Sequence, residues 1–233
     1  MEYPRRQSGS RARGGSGRLR KAGQHLSSST YRWEIAFVVL TGAGNFLLAD
    51  WLDLQWVLVG AASLCWLGYV AVRASADRSV LAQWGITRQG FGRSMALLAP
   101  VLLLSVAGFA VYGALTGRMA LHWHMLVVFL LYPLWGLVQQ FLVVSLVAGN
   151  LERHTRLPRA GVIFLTAAVF AVAHAVYPAL VAAAFFLALV TTTVFFRARN
   201  LWALGLFHGV YGTCLYFFVL GRDPLVEILH GRG

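Results

Sequence analysis

Pro133-Leu134-Trp135-Gly136-Leu137-Val138-Gln139-Gln140-Phe141-Leu142-Val143-Val144-Ser145 sets two adjacent carboxamides deep inside a long apolar run. An amide moved into a purely apolar medium costs roughly 4–8 kcal/mol if nothing pairs with it. Partners must then come from elsewhere in the chain, and two later apolar segments offer His174 and His208. A neutral imidazole carries one donor and one acceptor, so either ring can satisfy a carboxamide.

The composition around this stretch is that of a membrane protein. Hydrophobic residues make up 58% of the 233 residues and charged residues 12%, against about 25% charged in a soluble domain. Apolar segments fall at about 34–49, 54–72, 94–115, 122–148, 160–177, 179–196 and 201–220. As helix, runs of this length cross or nearly cross a hydrocarbon core of about 30 Å. The expectation is an all-α polytopic membrane bundle of about seven transmembrane helices, in which Pro178 leaves the fifth and sixth open to being one broken hairpin. Between the second and third, residues 77–86 read as a short interfacial helix with Trp84 at an aromatic-belt position.

Charge placement gives the bundle a sidedness. With the N-terminus cytoplasmic, the inside segments 1–33, 73–93, 149–159 and 197–200 hold 17 of the 20 basic residues, and only Arg118, Arg222 and Arg232 fall outside. That bias fits the positive-inside rule and an odd number of spans. Residues 1–32 are rich in Arg, Gly and Ser and nearly free of apolar side chains, and read as a disordered basic tail able to touch anionic lipid headgroups. The transmembrane domain then covers 33–221, with a short C-terminal tail at 222–233. The net charge of +12 does not indicate nucleic acid, because no aromatic-interleaved basic domain accompanies it. Cys65 and Cys214 each stand alone in an apolar segment and read as packing residues rather than a disulfide or a metal pair.

Polar residues at membrane depth are candidates for function. Asn45, beside Gly42 and Gly44, reads as an interhelical hydrogen bond at a small-residue contact. Glu34 begins the first span and can reach the interface. Thr191, Thr192 and Thr193 can bond back to their own helix. His122 and His124, at the outer end of the fourth span beside Trp123, read as interfacial rather than as a metal pair, because residues two apart on a helix do not share a face. The remaining group is Gln139, Gln140, His174 and His208. Two readings stand for the histidines. Hydrogen bonding and packing between helices suits buried polar groups in general. Zinc or another divalent metal held by His174 and His208 would need a third oxygen or nitrogen ligand and a water. Either grouping requires the fifth segment to be offset inward, or the chain around Pro178 to be buried, because His174 otherwise lies too far toward the outer end.

Phe170 to His174 is a Phe-x-x-x-His pattern, His208 stands eight residues beyond Asn200, which opens Asn200-Leu201-Trp202, and Gln139-Gln140 precedes both on an earlier helix. In this order, over roughly residues 84–216, the segments resemble the CPBP family, the CAAX-processing and bacteriocin-processing proteins also called Abi proteins. That family is marked by a Glu-Glu-x-x-x-Arg helix, then Phe-x-x-x-His, then His-x-x-x-Asn. The resemblance implies an intramembrane metal-dependent endopeptidase in which a glutamate activates water and the two histidines hold metal or stabilise charge. It also implies an integral multi-pass protein, expected in a bacterial plasma membrane, acting on a peptide or membrane-protein substrate.

The departures fall on the chemistry. Gln139 and Gln140 stand at the two glutamates, Val144 at the Arg and Gly212 at the Asn. A carboxamide has no useful basicity near neutral pH and cannot be the general base. Loss of the arginine is coherent with loss of the acids, since an unpaired buried cation is costly. Two functions follow from this pattern. One is a CAAX-protease-like enzyme with a degenerate first motif, in which Gln139 or Gln140 positions water. The other is an inactive protease-like scaffold or binding protein for a peptide, lipid or partner helix.

Overall fold

The computed structural model describes residues 30–44, 55–175 and 178–230. These form α1 (residues 30–44), α2 (Gln55–Ala76), α3 (Ser79–Gln83), α4 (Phe91–Thr116), α5 (His124–His154), α6 (Arg159–Val172), α7 (Pro178–Ala198), α8 (Leu201–Leu220) and α9 (Pro224–His230). Among the described residues there is no strand, as expected for an all-α bundle. The first helix takes in residues 30–32 of the expected tail, and α9 occupies most of the expected C-terminal tail. Residues 1–29 and Asn45 lie outside the described residues.

Seven spans is an approximate count. Among the described residues, five helices are long and apolar enough to cross a membrane: α2 over Val59–Ala76, α4, α5, α7 and α8. The fifth expected span is shorter, with α6 only 14 residues long. Its helical part rises about 21 Å at 1.5 Å per residue. The chain then turns at 173–175 and re-enters helix at Pro178. α6 and α7 form the broken hairpin that Pro178 left open: the Arg159 guanidinium lies over the Phe196 ring and Phe164 packs edge-on against Phe185.

The centre of the molecule is the α5–α8 contact. A Cβ on Gly205 would come within 2.9 Å of Leu137 Cα, and one on Gly209 within 2.5 Å of Pro133 Cα. Only glycine lets the two backbones approach this closely, as small residues do wherever lipid supplies no hydrophobic drive for helix association. α4, α6 and α7 pack around this pair through Leu98, Val143, Val144, Phe170, Leu187, Phe195 and Phe207. α5 changes winding to a π-helix over Phe141–Ala148, immediately after the glutamine pair. Widened turns of this kind recur at functional sites.

The described parts of the four segments expected on one side of the membrane meet at one end of the bundle. Glu152 pairs with Arg159 (2.8 Å) and with Arg199, joining segments 149–159 and 197–200. Asn200 caps α8 by accepting from Ala203 N (3.0 Å) and donates to the carbonyls of Thr87 (2.7 Å) and Gln89 (2.9 Å), which brings in 73–93. Glu34 of α1 accepts from Asn150 Nδ2 and from the Tyr69 hydroxyl. At the opposite end Ala120 N donates to Phe217 O (2.9 Å), joining the α4–α5 loop to the end of α8.

Several local expectations are corrected. Trp84 is not a belt residue: it is 2% exposed and packs edge-on against Phe141, with Tyr69 on another side. The helix there shortens to Ser79–Gln83, which lets the chain turn Trp84 inward. Glu34 is 7% exposed rather than interfacial, because Tyr69 and Asn150 supply the bonds that water would otherwise give. Thr191 and Thr193 bond back to Leu187 and Leu189 as expected, while the Thr192 hydroxyl is buried without a hydrogen-bond partner. Both cysteines are free, but Cys65 faces outward and only Cys214 packs inside.

Candidate functional site

Gln140 sits midway along α5, about 24 Å of helix from His124 at 1.5 Å per residue. It is 1% exposed, and its Nε2 lies 3.1 Å from His208 Nδ1 on α8. The glycine contact between the two helices makes this bond reachable. With the amide donating, His208 Nδ1 accepts, so the neutral ring carries its proton on Nε2. The carbonyl oxygens of Gln139 and Gln140 are both buried with no hydrogen-bond partner. The carboxamide anomaly of the sequence is therefore half resolved: one amide finds an imidazole, and two acceptors are left facing nothing.

His174 reaches the same region because α6 is short. It stands in the turn just beyond Val172, where Nδ1 lies 2.7 Å from the Phe170 carbonyl. A carbonyl can only accept, so Nδ1 carries the proton and the lone pair is on Nε2. The Phe170 ring lies 4.4 Å from the His174 ring and 5.9 Å from the His208 ring, measured between centroids. The inward offset that the sequence demanded is supplied by ending the helix early. Gln140, His174 and His208 are thus neighbours, whereas Gln139 has no bond to either histidine among those described.

Tyr132 is part of this site and was missed in the sequence. Its ring packs edge-on against His208 at 6.1 Å, and a Cβ placed on Gly212 would collide with it. The tyrosine fills the space where the resemblance expects an asparagine. Its only sequence signal is complementarity: a large side chain one residue before Pro133, facing a glycine on the partner helix. Val144 is fully buried among Leu98, Phe170 and Ala184 rather than near a counter-ion.

The residues can be tested against a metal. His174 is oriented as metal-ligating histidines usually are, its second nitrogen donating to a backbone carbonyl. His208 offers a lone pair on Nε2 only if the Gln140 amide is turned over, so that Oε1 accepts from Nδ1–H. In that state Nε2 of each histidine carries a lone pair suited to a borderline ion such as zinc, while the Gln140 oxygen is engaged by His208 Nδ1 and no carboxylate stands among these residues.

A helical membrane protein with a buried amide–imidazole cluster between its two central helices is the class these features define. Residues 121–214 match the family described as Type II CAAX prenyl endopeptidase Rce1-like. The resemblance to CAAX-processing proteins is therefore borne out over the stretch that holds Gln139, Gln140, His174, His208 and Gly212. No curated protein and no solved structure matches the chain.

Proposed function

We propose that this CAAX-protease-like integral membrane protein holds a peptide or partner segment at the Gln140–His208 site and hydrolyses it slowly or not at all. The observation that carries the reading is the Gln140–His208 hydrogen bond: the position of the general base is an amide, engaged with the imidazole it would need to work beside. Tyr132 over Gly212 supports it, because the aromatic ring takes the place of a polar group that could bind a carbonyl. Purified wild type and Gln140→Glu should be compared for hydrolysis of a peptide library in detergent with added zinc. A carboxylate at 140 regains a proton acceptor, worth roughly 10²- to 10⁴-fold in rate. Wild type already as active as the variant overturns the reading.

The orientation of His174 favours a second reading, a metal-dependent endopeptidase with a weakened first motif. His174 and His208 would hold zinc or another divalent ion, with Gln140 turned to accept from His208 Nδ1–H, and the ion would polarise a peptide carbonyl. Gln139 or Gln140 would orient water, Phe170 would fix the His174 ring, and the buried setting would exclude bulk solvent. Turnover abolished by His174→Ala, with metal lost from a His174→Ala/His208→Ala variant, would establish it. Either reading places the chain in a bacterial plasma membrane with the Glu152 end cytoplasmic. The basic tail would then lie near anionic headgroups, and a peptide or membrane protein would be the partner.

A further inference from the structure

At the end of the bundle opposite Glu152, the loop before α5 and the cap of α9 bring His122, His124 and Asp223 together. Each offers one ligand atom, and these atoms lie within 4.8 Å of one another. The expectation that the two histidines point apart fails because His122 precedes the helix, so helical spacing does not govern the pair. We propose that His122, His124 and Asp223 bind a divalent transition-metal ion of the zinc class, separate from the Gln140–His208 site.

The two oxygens of Asp223 are divided between tasks. Oδ1 accepts from Leu225 N (2.9 Å) and Val226 N (3.4 Å) and so caps α9. Oδ2 is left facing the histidines, 2.5 Å from His124 Nδ1 and 3.6 Å from His122 Nε2. A metal-binding carboxylate anchored through its second oxygen is the arrangement that orients ligands well. The rings are held too: His122 packs edge-on on Phe217 at 5.3 Å and on His124 at 5.0 Å, and Trp123 packs on His124 at 4.2 Å. Ala120 N bonding to Phe217 O fixes the loop that carries His122.

A structural tie between α5 and α9 would need only His124 and Asp223. It leaves His122 Nε2 beyond hydrogen-bond range of an oxygen it nevertheless faces. Around a tetrahedral ion with bonds of about 2.0–2.1 Å, ligand atoms stand roughly 3.3 Å apart. The His122–Asp223 separation is already near that value. The His124–Asp223 pair stands at 2.5 Å, and an ion seated between the two atoms would open it by under roughly 1 Å on the same geometry. Two imidazoles and one carboxylate, with a fourth position for water, are a donor set that zinc accepts and that magnesium and calcium, which prefer oxygen, do not. The neighbouring Arg222 is paired with Glu227 (2.5 Å), so its charge is matched beside the site.

The test uses full-length protein in detergent, purified through a tag without histidines, stripped with a chelator and dialysed against zinc. Wild type should retain an equivalent of zinc that His122→Ala/His124→Ala loses and His174→Ala/His208→Ala keeps. Asp223→Asn preserves an acceptor for the α9 cap, so it should fold and yet bind zinc at least roughly tenfold more weakly, as loss of a ligand charge entails. Zinc should raise the melting temperature of wild type but not of Asp223→Asn. Equal zinc uptake by wild type and His122→Ala/His124→Ala, or none by wild type, overturns the proposal. Failure here leaves the Gln140–His208 reading untouched, because the variants of that site are measured in the same series.

Discussion

The Gln140 carboxamide has two faces, and which one meets His208 decides what the site offers. With nitrogen toward the ring, His208 presents an N–H on its far side; with oxygen toward it, a lone pair. Gln140→Glu removes the choice, because a carboxylate only accepts and forces the proton onto His208 Nδ1. The same residue scale explains Gly212. Gly212→Asn alone should destabilise the fold by about 1–3 kcal/mol, the usual cost of overpacking a filled core. Combined with Tyr132→Ala, which empties the space the new side chain needs, the cost should be smaller than the sum of the two single changes. Denaturant melts of the four proteins form the cycle, and strict additivity would show that Tyr132 and position 212 do not share that space.

Among the elements, the join between α7 and α8 is the most heavily tied. Arg199 adopts a left-handed conformation (φ 34°) and pairs with Glu152, while both polar side-chain atoms of Asn200 are used. Asn200→Ala should cost about 1–3 kcal/mol, as loss of an N-cap together with two orphaned carbonyls implies. Its clearest readout is earlier proteolysis in segment 85–90. Asp77 caps α3 in a milder way, accepting from Ser79 N and Oγ, and those bonds hold its carboxyl below the ordinary 3.8. A depressed carboxyl stabilises above its ordinary value and loses that contribution as the pH falls through its folded value. Amide exchange in α3 should therefore quicken only on acidification below about pH 4.

At the scale of the molecule, the grouping of the basic loops was legible. The described parts of those loops meet at one end, joined by Glu152, Asn200 and Glu34. The helical class and the family stretch were legible for the same reason: apolar length and motif order are local facts. What sequence hid were the contacts between elements. Trp84 reads as interfacial from its neighbours but is buried by Phe141, some fifty-seven residues later. The meeting of Gln140 with His208 could be proposed, but its register rests on Gly205 and Gly209, and the inward position of His174 rests on where α6 stops. That His122 and His124 both face Asp223 was hidden because the helix start, which frees His122 from helical spacing, cannot be fixed to one residue from pattern alone.

The early stop of α6 has a consequence for the surrounding lipid. Its helical part spans about 21 Å, short of a hydrocarbon layer of about 30 Å, so a membrane crossed by α6 would hold the turn at 173–175 within its depth. Val172 is 69% exposed there, beside a turn whose carbonyls lipid tails cannot satisfy. Backbone of this kind draws water down or thins the leaflet around it, a local case of hydrophobic mismatch. Bilayer thickness then becomes a dial on the hydration of His174. In short-chain vesicles the amides of Ala173, His174 and Ala175 should exchange with solvent faster than in long-chain vesicles, while those of α8 stay unchanged; equal rates in both would mean that protein, not lipid, covers the turn.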